Sequence, residues 1–487
     1  MINALRCLLI SVILTTATAL AAPAYAETAG ELDLSFGTGG AAFLTSDAVE
    51  GVLAVDQSGR TVVATYTAAG GSVTRFLTTG ARDLGFGGNG YVGLGSDHAS
   101  ALTVLHNGSI AVGLRSGGVL KLTSSGGVNA AFGNGGVVQG LGSYPITMLE
   151  RPVTSELVVI TPTDVFQISP AGALDLGFGT QGAVHIEAEF KTPNWYLYGK
   201  PFLDIASSGR PQAAALAADG SLFMIMSQNV ASGVIRLSPT GTAVLSYGEN
   251  GIFRIAARTV VGQLLALPDG RLIVNEQTEG NLGMFAVAGN AANVIALADD
   301  GIRDTTFGDA GKVTIGDLPS STAVPLGMYA DSVGRLVLYT LFNRPDIISS
   351  ATSYSMSQGE SMLDITRLNV SDGSHDLTFK GTGFEQFVGM VAMFRSVEQA
   401  GRITALGAFI DPYPAPPRTV LVRLCTSDPT CPGADPTALF GGPGNDTLTG
   451  TYANDNENGF GGNDSLTGGA GRDSQVGAAG NDKISGG

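Results

Sequence analysis

The chain has 487 residues, of which 70 are glycine and 14% are charged, with a formal net charge of −16 at pH 7. Glycine is about twice as common as usual and charged residues are well below their usual share, while 44% hydrophobic residues suffice for a core, which excludes a charge-rich disordered polymer. The acidic balance disfavours nucleic acid and anionic membrane surfaces as partners and suits an exported protein or a cation binder.

The chain opens "MINALRCLLISVILTTATALAAPAYAETAG". Arg6 precedes an apolar run over 7–22, and "AYA" at 24–26 fits a small-residue cleavage site, so 1–26 reads as a signal peptide. The run is shorter than the roughly 20 residues of a membrane span, and no later stretch is longer and as apolar, so no transmembrane segment is expected after cleavage. The expected location is secreted or cell-surface, by bacterial-type export through the N-terminal signal peptide.

From residue 30 a motif recurs: "GELDLSFGTGG", "GARDLGFGGNG", "GGVNAAFGNGG", "GALDLGFGTQG", "GTAVLSYGENG", "GIRDTTFGDAG" and "GSHDLTFKGTG". Its aromatic residues are Phe36, Phe86, Phe132, Phe178, Tyr247, Phe307 and Phe379, about 57 residues apart on average. Each has glycine six residues before it and four after it, and six of the seven have Asp or Asn three before, Val244 being the exception. A second signature, such as "QSGRTVV", "HNGSIAV" and "PDGRLIV", places a glycine turn before a β-rich run; in the third unit "TSELVVI" has no glycine. Four short strands per unit follow, near 40–45, 51–55, 60–67 and 72–78 in the first. Seven such units predict an all-β, seven-bladed β-propeller over 27–425, with a β-solenoid as the runner-up architecture. The repeated aromatic is expected to wedge between blades, and the Asp to cap its turn rather than to join a ring of metal ligands. These signatures resemble the bacterial delta-60 repeats over about residues 30–424, and the resemblance implies an extracytoplasmic propeller scaffold with no chemistry of its own.

The fourth unit carries an insertion, "IEAEFKTPNWYLYGKPFLDIASSGR", and the fifth and sixth carry further ones. Counted within units, the first lies between strands one and two and the others between strands three and four, which an up-and-down blade sends to one face. Trp195, Tyr196 and Tyr198 are therefore candidate partner-binding residues, since exposed Trp and Tyr combine area with a polar handle. The expected partner is an extracellular protein or glycan. In the linker 426–440 and at its start, Cys425 and Cys431 are expected to close a small disulfide loop, given export.

Read in nines from Gly441, the tail is GGPGNDTLT, GTYANDNEN, GFGGNDSLT, GGAGRDSQV and GAAGNDKIS. Asp446, Asp455, Asp464, Asp473 and Asp482 occupy the sixth place. Position eight holds Leu448, Leu466 and Ile484 in odd nonapeptides and Glu457 and Gln475 in even ones, giving one apolar and one polar wall. Glycine exposes backbone carbonyls and Asp adds the hard oxygen that calcium prefers. The period matches the calcium-binding RTX nonapeptides, a resemblance that implies a short parallel β-roll over 441–487 with Ca2+ between turns eighteen residues apart. The ligand set it implies is Asp446 with Asp464, Asp464 with Asp482 and Asp455 with Asp473, helped by Gly442, Gly444, Gly462 and Gly480.

No nucleophile-elbow, zinc-helix or phosphate-loop motif occurs, and His98, His106, His185 and His375 share no metal-ligand spacing. The sequence therefore points to a secreted, calcium-binding binding or scaffold protein; the competing expectation is a hydrolase or lyase on the propeller, acting on a carbohydrate or lactone.

Overall fold

The computed structural model describes residues 50–186 without a break, most of 213–486 with short interruptions, and before and between these 33, 35–37, 41–44, 196–197 and 200–201. Among the described residues of 41–425 there are seven four-stranded antiparallel sheets and two short hairpins, Tyr196–Leu197 with Lys200–Pro201 and Asp346–Ser350 with Ser353–Ser357. The first comprises Glu50–Val55, Thr61–Thr67, Gly70–Phe76 and Tyr91–Gly95, and the second Ala99–Val104, Ile110–Leu114, Gly118–Leu122 and Val137–Val138. The third runs Thr147–Glu150, Leu157–Ile160, Asp164–Ile168 and Ala183–His185; the fourth Ala214–Leu216, Leu222–Gln228, Ala231–Leu237 and Ile252–Ile255. The fifth runs Thr259–Ala266, Leu272–Thr278, Ala291–Leu297 and Lys312–Ile315, and the sixth Thr322–Ala330, Arg335–Asn343, Ser361–Asn369 and Phe384–Val388. The seventh takes Ala392–Gln399, Arg402–Phe409 and Arg418–Cys425 from the far end of the repeats and Ala41–Phe43 from the near end.

Each sheet's first strand packs against the first strand of the next, and Ala392–Gln399 packs against Glu50–Val55, so the seven first strands form a closed inner ring. The molecule is a seven-bladed β-propeller. Closure is made by strand pairing, Ala41 opposite Val422 and Phe43 opposite Val420. The first strand of each sequence unit is thus the outer strand of the preceding blade, one strand out of phase with the units as the motif marks them. The reason is that the motif is a crossing from third to outer strand, not a boundary between blades.

The core is divided among the gaps between blades. Val62, Ala64 and Val73 of the first blade enclose Phe86 together with Ile110, Val112 and Leu122 of the second. Phe132, Phe178, Tyr247, Phe307 and Phe36 sit in the equivalent layers of five other gaps. All six rings are at most 3% exposed, as a wedge requires; Phe379 lies outside the described residues. The glycine six places before the ring is explained, at Gly80, Gly126, Gly172, Gly241, Gly301 and Gly373, by the motif turn of the preceding blade. At Gly126, with φ +89, a Cβ would stand 2.6 Å from the Gly87 nitrogen and 3.0 Å from the Phe86 ring. Only glycine combines that conformation with that approach. The amide of Gly87 completes the joint by donating to the Ser125 carbonyl of the next blade at 2.9 Å, and Gly133, Gly179, Gly248 and Gly308 repeat the bond. In the third blade, where the turn glycine is missing, Ser155 itself adopts φ +54.

Antiparallel alternation sorts the loops into two ends. Turns between first and second strands and the motif crossings emerge at one end, here the motif end. Turns between second and third strands and the connections between blades emerge at the other, the insertion end. The strands flanking 186–213, 279–290 and 344–360 end at the insertion end; most of the insertions themselves, and so the common face expected for them, lie outside the described residues.

Candidate functional site

The motif Asp caps its turn and also does something the sequence reading missed. Asp83 accepts the Gly85 amide at 3.1 Å and pairs with Arg75 Nε at 2.8 Å; Arg75 lies 4.6 Å above the Phe86 ring and reaches the Ser124 carbonyl of the next blade. Arg423 repeats the arrangement on Asp33 at 2.6 Å and over Phe36 at 4.5 Å, and Arg367 pairs with Asp376 at 2.7 Å. Lys121 lies over Phe132 and donates to the Pro170 carbonyl at 3.1 Å. These groups are engaged with one another, so the ring of Asp residues is a scaffold of blade joints. Its signal was present as a basic residue eight places before Asp83 and before Asn129.

The joint departs from pattern in the fourth blade. Val244 holds the Asp position, and Arg236 turns instead to Asp219 at 2.7 Å and Asp299 at 2.8 Å. Tyr247 replaces phenylalanine there, and its buried hydroxyl has no hydrogen-bond partner. Burial pushes that hydroxyl well above the ordinary tyrosine value of 10.0. Stability from the neutral hydroxyl is intact below the unfolded value and falls as pH rises through it, because the unfolded chain then loses the proton more readily. Tyr247→Phe is expected to gain about 1–3 kcal/mol by removing an unpaired buried hydroxyl and to flatten the loss of stability above about pH 10. Denaturant unfolding of both proteins between neutral and alkaline pH checks both effects.

On the inner strands the carboxylates are Glu50, Glu150 and Glu398. Glu150 is the one whose side chain is described, and it accepts the amide of His106 at 2.6 Å and its Nδ1 at 2.8 Å. His106 therefore ties two blades together. His185 Nδ1 meets Asp164 Oδ1 at 2.5 Å on the third blade.

Beyond the propeller, Ala438–Phe440, Asn456–Asn458 and Ser474–Val476 form one parallel three-stranded sheet, and Thr447–Thr449, Ser465–Thr467 and Lys483–Ser485 form another. Pairing is in register every eighteen residues, Leu448 opposite Leu466 and Leu466 opposite Ile484. The turns are stacked as well. Asp464 Oδ1 accepts the Asp446 amide at 2.9 Å and Asp482 Oδ1 accepts the Asp464 amide at 3.0 Å, while the Asn445 and Asn463 side chains cap the amides of Asn463 and Asn481. Gly462 and Gly480 take φ +124 and +142, and the carbonyls of Gly444 and Gly462 approach them closely. Asp464 is 2% exposed, and its Oδ2 is buried without a hydrogen-bond partner. On the polar wall, buried Glu457 accepts from Gln475 at 2.6 Å.

Among the described residues no group of three or more His, Cys, Asp and Glu side chains is close enough to share a metal ion. A cation here would use few carboxylates and more backbone carbonyls, which the glycine turns supply, and the orphaned Asp464 oxygen suits a hard cation. Gly442, Asp455, Asp473, Trp195, Tyr198 and Cys431 lie outside the described residues, as do the side chains of Tyr196 and Cys425.

No protein-family model and no curated protein matches the chain. Solved structures that match include BamB from Moraxella catarrhalis, 12% identical over 78% of this chain and all of that one, with a TM-score of 0.37. Virginiamycin B lyase from Staphylococcus aureus is 11% identical over 81% of this chain and 98% of its own, at 0.41. The Dos1 propeller is 9% identical over 81% and 96%, at 0.45. Overlays this loose carry no weight on function, and the blade count rests on the closed inner ring.

Proposed function

We propose that the protein is a secreted or cell-surface binding scaffold in which a rigid propeller presents a recognition surface and the tail over 441–487 is a calcium-binding β-roll. The observation that carries the calcium reading is the buried, unpartnered Oδ2 of Asp464, stacked between Asp446 and Asp482 at a spacing of eighteen residues. A carboxylate oxygen held away from water with no donor is costly, and a divalent cation would relieve the cost. Asp446, Asp464 and Asp482 with the carbonyls of Gly444, Gly462 and Gly480 would hold one row of ions; Asp455 and Asp473 with Gly442 extend the proposal to the other row. Bound calcium neutralises stacked carboxylates, so ion uptake and ordering of the tail are one process.

The test is calcium titration of the full chain, followed by isothermal calorimetry and by hydrogen exchange over 441–487. Protection is expected to rise in Thr447–Thr449, Ser465–Thr467 and Lys483–Ser485, and Asp464→Ala to weaken binding more than Asp455→Ala, because Asp464 serves two turns. No heat and no added protection at about 5–10 mM calcium, beyond the usual range of extracellular modules, would sink the reading. A first residue of Glu27 in the exported protein would support the signal peptide.

A further inference from the structure

At the insertion end, three consecutive blades repeat one arrangement. A residue on or beside the turn between second and third strands meets a residue at the end of the outer strand or on the connection that follows it. In the first blade the Tyr66 and His98 rings lie 4.5 Å apart, tilted by 40°. In the second the Arg115 guanidinium sits 4.3 Å from the Tyr144 ring centre. In the third the pair is Asp164 and His185. The first two pairs are fused into one patch: the Arg115 amide donates to the His98 carbonyl at 2.9 Å, and the Ser116 hydroxyl donates to Asp97 Oδ2 at 2.5 Å. Asp97 Oδ1 accepts the His98 amide at 2.8 Å, which fixes the ring's backbone. The connection leaving the third blade carries Trp195, Tyr196 and Tyr198 in its sequence.

We infer that the patch formed by Tyr66, His98, Asp97, Ser116, Arg115 and Tyr144 is a docking surface for a neutral, hydroxyl-rich oligosaccharide long enough to lie across two blades. The inference rests on the propeller being a binding module and names its partner class. A sugar ring offers an apolar C–H face to an aromatic ring and a rim of hydroxyls to carboxylate and hydroxyl groups, and this patch alternates the two. Tyr66 is 37% exposed, so its ring is open on one side. A protein partner would call for exposed aliphatic side chains as well. Those of the propeller among the described residues, from Leu77 and Leu84 in the first blade to Leu377 in the sixth, lie on turns of the motif end instead. A polyanionic glycan is disfavoured by Asp97 and Asp164 at the rim and by the net charge of −16.

The test applies the full-length protein to an array of neutral hexaoses (cello-, xylo-, manno-, malto- and chito-series) beside polygalacturonate and hyaluronan fragments, with and without EDTA. Binding to at least one neutral series is expected, insensitive to EDTA, with Tyr66→Ala and Tyr144→Ala each weakening it tenfold or more and Tyr66→Phe retaining it. Unfolding midpoints of the variants identify any that fail by misfolding, and the retained ring in Tyr66→Phe separates stacking from hydroxyl contact. No binding to any neutral series, binding to acidic fragments alone, or neutral binding indifferent to both alanine variants overturns the inference. Because calcium uptake by the tail is read separately, a failed array with intact calcium binding removes this inference and leaves the calcium reading in place.

Discussion

Asp33→Ala is expected to lower the stability of the propeller by about 3–5 kcal/mol, the usual result of stranding one partner of a buried ion pair. Asp33 is fully buried, binds Arg423 Nε at 2.6 Å and lies 3.5 Å from Arg402, and its own amide donates to the Arg423 carbonyl at 2.8 Å. Removing the carboxylate takes from the buried Arg423 guanidinium, 4.5 Å above the Phe36 ring, the ion pair it makes at 2.6 Å. The same joint also holds the near end of the chain to its far end, so its loss acts on ring closure and not on one turn alone. Asp219 offers the contrast. It too pairs with an arginine, Arg236, at 2.7 Å, but its side chain is 53% exposed. Water screens that pair, and Asp219→Ala is expected to cost less than about 1 kcal/mol. Guanidinium unfolding of the two variants measures the difference; equal losses would mean that Asp33 does not close the ring.

The second large effect is expected at a wedge. Phe178→Ala should lose about 3–5 kcal/mol, because the ring is 1% exposed in a layer shared by Val158, Val165 and Val184 on one blade and Leu222 and Ile235 on the next. Two residues earlier, Leu176 is 71% exposed, and Leu176→Ala should stay within about 0.5 kcal/mol. The pair tests whether the motif's recurring spacing reflects packing between blades. A small loss at Phe178 would show that the gap collapses around alanine and that the wedge is not needed.

Most of the propeller was legible because its joints are written at fixed offsets. Phe86 and Gly126 touch across a blade gap, yet each stands in its own copy of one motif, so the contact repeats with the sequence period. The eighteen-residue beat of the tail was legible for the same reason, and strand pairing follows it from Leu448 to Leu466 to Ile484. What escaped was information that has no fixed residue type. The cation over the wedge is Arg75 in one blade, Lys121 in another, and Gln167 takes the place in a third, where it bonds Asp175 at 2.8 Å. A position that accepts three residue types looks unconstrained in a single sequence. Ser155 escaped because a left-handed turn without glycine leaves no mark. The Tyr66–His98 and Arg115–Tyr144 patch escaped because its members sit in loops of different length, brought together by the alternation of strands.

The outer strand Ala41–Phe43 imposes an order of events. Its partner, residues 420–422, follows it by about 380 residues, a very non-local contact of the kind that slows folding. During synthesis the first six blades can stack as they emerge, but the ring remains an open crescent with the Leu53 and Val63 flank of the first blade wet until Leu406 and Leu421 arrive to cover it. That exposed flank is both a hazard and a timer. It keeps the ring unclosed, with apolar surface open to water, until the last blade has been delivered.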